Sequence, residues 1–163
     1  MGFAGPTPYG PVLGQGRIDS VQHAARLTAS DGGVAGTIRG VWTPCNLPLM
    51  ISGVNPRWTT GVWRSDAPDR TTDQCPVSAD CAYTTVDASK DVSFYAGNFV
   101  LADSPELILN IEAWTPDRIT VEVSNPTDKP ISASVRTPAA IGGLKALNAK
   151  VAVPAGATVR VRG

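Results

Sequence analysis

His23 is the only histidine in the 163-residue chain. Any Ser-His-Asp or Cys-His site would have to be built on it. Ser20 and Asp19 stand just upstream, too close along the chain for a triad that a fold assembles from separate elements. No G-x-S-x-G occurs, and no glycine-rich loop leads from a strand into a helix to cradle phosphate. His23 therefore reads as an ordinary side chain in a short element. No catalytic residue is assigned, and no enzyme activity is expected.

The other reactive types are equally sparse. Cys45, Cys75 and Cys81 make an odd number. Cys75 and Cys81 flank Pro76-Val-Ser-Ala-Asp80. A disulfide between them would close a short ring and stabilise by about 2–3 kcal/mol; a reducing compartment would leave thiols. That spacing with one remote Cys and one His is poor zinc geometry. Asp66, Asp69, Asp73, Asp80, Asp87 and Asp91 cluster in sequence without the regular spacing of an EF-hand, and Arg64, Arg70 and Lys90 lie among them. Glu106, Glu112 and Glu122 are the only glutamates. Glu122 falls on the wet side of an alternating strand, which argues against a glycosidase carboxylate pair. Neither a metal nor a cofactor is expected. Trp42, Trp58, Trp63, Trp114, Tyr83 and Tyr95 remain. Exposed, such rings stack on sugars; buried, they fill a core. Trp58 follows a turn at Asn55-Pro-Arg57, so Trp58 with Tyr83 is the candidate ligand platform.

The elements that must carry these residues are strands. Arg118-Ile-Thr-Val-Glu-Val-Ser124 alternates apolar and polar, Asn125-Pro-Thr-Asp-Lys-Pro130 turns, and Ile131-Ser-Ala-Ser-Val-Arg-Thr137 alternates again. Val151-Ala-Val153, a Pro154-Ala-Gly156 turn and Thr158-Val-Arg-Val-Arg162 repeat the device. Period two with Pro/Gly punctuation predicts antiparallel strands with one buried face. Further strands are expected over 37–42, 49–52, 59–63, 83–86, 92–96, 98–101 and 107–114. Asp31-Gly-Gly33 reads as a turn. Ile18 to Leu27 leans toward a short helix capped by Asp19 or Ser20, with Val21, Ala24 and Ala25 on one face. Arg64 to Lys90 is expected as a long irregular connection of the kind that faces a partner.

Residues 1–16 read as an extended arm. Gly2, Gly5, Pro6, Pro8, Gly10, Pro11, Gly14 and Gly16 exclude a helix or central strand. Phe3, Tyr9, Val12 and Leu13 are its apolar anchors, expected to lie against a neighbouring subunit. Residues 17–163 are expected to form a single domain. The expected fold is all-β: an antiparallel sandwich, jelly-roll-like, with at most one short helix. The final hairpins, residues 118–162, resemble those of many immunoglobulin-like and jelly-roll accessory modules. The resemblance implies architecture alone and transfers no site residue.

Composition narrows the partners. Charged residues are only 17% of the chain, with 14 acidic and 14 basic side chains. A neutral surface lacks the field that draws nucleic acid, and it does little to resist self-association. No run approaches the roughly 20 apolar residues of a spanning helix, so no membrane partner is expected. The start, Met1-Gly-Phe-Ala, has neither a basic nor an apolar segment of secretory type. Cytoplasmic synthesis is expected, or an extracellular setting if the chain is an excised domain.

These readings converge on a structural or interaction protein that works by assembly. Its expected partners are its own copies or neighbouring coat-like subunits, as in a virion accessory protein of capsid-decoration or head/tail type. The alternative is a carbohydrate-binding or accessory module of a polysaccharide-degrading enzyme.

Overall fold

The computed structural model describes residues 15–19, 24–39, 46–68, 71–72, 77–87 and 91–163. Among them there is no helix, and all strand pairing is antiparallel in four sheets. The first strands are β1 (Gln15–Asp19), β2 (Ala24–Ser30), β3 (Gly33–Arg39) and β4 (Asn46–Ser52). β5 (Thr60–Arg64), β6 (Thr71–Thr72), β7 (Val77–Ser78), β8 (Cys81–Asp87) and β9 (Val92–Asn98) follow. The rest are β10 (Leu101–Ala102), β11 (Ile108–Trp114), β12 (Ile119–Ser124), β13 (Ile131–Arg136), β14 (Asn148–Val153) and β15 (Thr158–Arg162).

The sheets divide by chain half. A six-stranded sheet in the order β1-β2-β3-β9-β5-β6 and a three-stranded sheet β4-β8-β7 use residues before Phe99. The sheets β10-β13-β14 and β11-β12-β15 use residues after Val100. Each half has its own hydrophobic cluster, fed by both of its sheets. Leu27, Ile38, Phe94 and Val92 meet Leu49, Ile51 and Val86 in the first. Ile119, Val121 and Val123 meet Val135 and Val153 in the second.

A third cluster joins the halves. Trp63 and Tyr95 on β5 and β9 pack with Phe99, Ile141 and Leu144, and half-buried Trp114 lies against them. Phe99 and Trp114 meet edge-on with ring centroids 5.6 Å apart, a favoured aromatic arrangement. β5 and β9 are thus covered on both faces. That explains why Val92–Asn98 reads as a near-continuous buried run instead of alternating.

Two buried asparagines pin the connections, one in each half. The Asn98 side chain donates to Asn55 O, Trp58 O and Thr60 Oγ1, and its carbonyl accepts Asn55 N–H at 2.9 Å. The Asn125 amide reaches Lys129 O, Val153 O and Pro154 O, while its carbonyl accepts from Thr127 N and Oγ1. Asn125 therefore ties the 125–130 turn to the 154–157 turn. Burying an amide this way stabilises only because its partners are all present.

One expectation is corrected. The described residues of the segment from Ile18 to Leu27, namely 18–19 and 24–27, are strand and not helix. β1 ends at Asp19, β2 begins at Ala24, and the two pair as neighbours. β2 buries Leu27 while Arg26 and Thr28 face solvent. Pairing with β3 along the whole of β2 overrides a marginal helical pattern too short to hold itself. The 64–90 segment also holds more structure than one short strand: β6, β7 and all of β8 lie within it.

Candidate interaction surface

β4 and β8 pair along their full lengths. Leu47, Leu49 and Ile51 on β4 and Ala82 and Val86 on β8 point inward and are buried. Period two then forces the intervening residues outward. In register they pair as Pro48 with Thr85, Met50 with Tyr83, and Ser52 with Cys81. Met50 is 38% exposed and Tyr83 45% exposed, two of the most exposed large hydrophobic side chains described. Directly opposed residues on antiparallel strands have Cβ atoms roughly 5 Å apart. A thioether and a phenol ring therefore form one contiguous outward patch. Met and Tyr are both enriched at protein interfaces.

Among the described residues of β4 and β8, the outward positions between Asp87 and Asp80 carry no ionised side chain. Partial burial, and then the Asp80 carboxylate, push the Cys81 thiol above its ordinary range, so it stays neutral. Cys81 is a free thiol. Cys75, the other member of the candidate disulfide, lies outside the described residues, as does Cys45. The turn from β7 to β8 is strained. Ala79 takes φ +56°, the left-handed region, although it is not glycine. Val54 N–H donates to Asp80 O at 3.0 Å, which fixes that turn against the 53–54 turn.

A groove of about 480 Å³ lies where the halves meet, lined among others by Asp31, Asn55, Trp58, Asp80, Asn98 and Arg136. Arg136 on β13 forms an ion pair with Asp31 in the β2–β3 turn. Beneath them the Tyr95 hydroxyl lies 3.0 Å from Asp31 O and 2.8 Å from Asn98 O. Burial, and then the Asp31 charge, hold the Tyr95 phenol well above its ordinary range. It remains a neutral donor. The Trp58 indole N–H donates to Leu107 O at 3.0 Å, and the ring packs on the second cluster. Trp58 is half-buried on the groove wall. Tyr83, its expected platform partner, stands on the outer face of β8 and does not line this groove.

The remaining candidates fall as follows. Phe3, Tyr9, Val12, Leu13, His23 and Trp42 lie outside the described residues or have no described side chain. Trp63 is core. Trp114 is half-buried and donates to Lys145 O at 2.8 Å. Glu112 and Glu122 both face outward on the β11-β12-β15 sheet and share Arg160. The Arg160 guanidinium holds the Glu112 carboxyl below its ordinary value. Among the described residues, no three His, Cys, Asp or Glu side chains gather to hold a metal ion.

Met50 escaped the sequence reading. The signal was there: Leu47, Leu49 and Ile51 alternate with it, so a buried set on one face places Met50 on the other. Asn98 and Asn125 also escaped, because a buried amide carries no periodic signature. No family model, curated protein or solved structure matches the chain.

Proposed function

We propose that this chain is a non-enzymatic subunit that works by assembly, its own copies or neighbouring coat-like subunits being its partners. The setting we propose is a virion, as a capsid-decoration or head/tail accessory protein. There, symmetry multiplies a modest contact into a stable shell. The architecture we propose is a jelly-roll-like antiparallel sandwich. Clusters fed from paired sheets support it.

One observation carries this reading. Met50 and Tyr83 oppose one another in solvent on an uncharged sheet face. An outward sheet face is ordinarily polar; an apolar pair there is a contact surface waiting for cover. A stable contact buries roughly 1,200–2,000 Å² in total, so this patch would be its centre.

Solution mass measured over a wide concentration range tests the reading. The mass should rise to a discrete multiple of the chain. A mass that stays at one chain throughout removes it.

The groove supports a second reading, carbohydrate binding. Trp58 offers a ring edge beside Asp31, Asp80 and Asn55, groups that accept from or donate to sugar hydroxyls. Affinity electrophoresis through polysaccharide gels decides this: retardation by one polymer supports it, and unchanged mobility in all of them ends it.

A further inference from the structure

On the assembly reading above, we propose that the Met50–Tyr83 face receives residues 1–14 of a second copy of this chain. The two surfaces match in three respects. The first is charge. The segment Met1-Gly-Phe-Ala-Gly-Pro-Thr-Pro-Tyr-Gly-Pro-Val-Leu-Gly14 holds no acidic, basic or histidine side chain. The outward positions Pro48, Met50, Tyr83 and Thr85 hold none either. Docking one on the other strips water from no ion, and that cost is what most often cancels an apolar gain.

The second is shape. Pro6, Pro8 and Pro11 favour extended, polyproline-like backbone. Such segments lose little entropy when they dock, and they are recognised by exposed aromatic rings. Tyr83 is such a ring, and it is 45% exposed. Met50 beside it supplies the adaptable wall that irregular apolar side chains such as Phe3 and Tyr9 require.

The third is reach. Extended, residues 1–14 span at most roughly 45–50 Å. They lead out from β1, the edge strand of the six-stranded sheet. Met50 and Tyr83 belong to the other sheet of that half and face away from the shared cluster. With the segment attached at Gln15, where β1 begins at the sheet edge, that length is enough to reach a neighbour's Met50–Tyr83 face.

The test is photo-crosslinking of the full chain with benzoylphenylalanine in place of Tyr83. Equal amounts of nitrogen-14 and nitrogen-15 protein are mixed before irradiation. Trypsin releases the arm as residues 1–17, because Arg17 is the first basic residue. The expected product joins that peptide to the β8 peptide, with the two isotopes mixed across the junction. Products of a single isotope only would place the arm on its own chain and overturn the proposal. Crosslinks to any other peptide, in a protein whose mass shows it to be oligomeric, would overturn the proposal and leave the assembly reading intact. A monomer at every concentration would remove both. As a second measurement, Tyr83→Ser should weaken association about tenfold, since a central aromatic anchor contributes more than 1 kcal/mol. An unchanged dissociation constant would also overturn the proposal.

Discussion

Two outward sheet faces of this molecule are built alike and finished differently. The β4–β8 face and the β11-β12-β15 face are both antiparallel, and each covers a hydrophobic cluster with alternate residues. The first exposes Met50 opposite Tyr83. The second exposes Glu112, Glu122 and Arg160 beside a lone Ile108, with Arg160 Nε at 3.0 and 2.9 Å from the two Glu112 oxygens. A self-satisfied charge ladder gains little from a partner and loses hydration if covered. A thioether and a phenol ring gain by leaving water, and only the Tyr83 hydroxyl needs a new hydrogen-bond partner when covered. Backbone pairing is common to both faces; the chemistry of alternate positions is what sets them apart.

Replacing both Met50→Ser and Tyr83→Ser in one chain should weaken association about 100-fold. Their exposure should keep unfolding within about 0.5 kcal/mol of the parent. The paired control, Glu112→Gln with Arg160→Gln, should leave association unchanged. Sedimentation at several concentrations reads both, and equal effects from the two variants would erase the distinction between the faces.

The two halves can be set against each other inside as well. Asn98→Ala and Asn125→Ala each strand buried backbone carbonyls and should each cost about 2 kcal/mol in urea unfolding. If the cluster of Trp63, Phe99 and Leu144 makes the halves one cooperative unit, both variants lower a single transition. If each variant lowers a separate transition, the halves unfold independently.

Ala79→Gly acts on the strained turn under the apolar face. Left-handed backbone costs a non-glycine residue about 1 kcal/mol, so this variant should stabilise by about 0.5–1 kcal/mol in thermal unfolding. A loss of stability would show that the turn is not strained.

The smallest effect concerns Glu112. Its carboxyl titrates below the ordinary 4.5 because Arg160 hydrogen-bonds the charged form. A depressed folded-state value means the pairing favours folding above the ordinary range, and the benefit is lost as pH falls through the folded value. Carbon-detected NMR titration should show a low midpoint that rises in Arg160→Ala. A midpoint unmoved by that change would mean that the ladder is not formed.

The C-terminal half was largely legible. Residues 119–124 and 131–136 became β12 and β13 because one side of each strand is buried and the other wet. The N-terminal half was less so. Val92–Asn98 is buried on both faces, so its periodicity vanished. Ile18 to Leu27 carried a weak helical pattern that strand pairing overrode. The candidate surface was half visible: Tyr83 was picked out as an exposed aromatic, but Met50 was not joined to it. That pairing depends on the register between strands far apart in the chain.

Alternation and turn residues determined by themselves that the chain is mainly antiparallel β, because those signals depend only on neighbours in sequence, and composition alone set its balance of 14 acidic and 14 basic side chains. Which residues oppose each other across strands was decided by tertiary structure alone. So was the choice of which strands lie buried on both faces, and where two asparagines find their partners. These depend on long-range register, which no local pattern encodes.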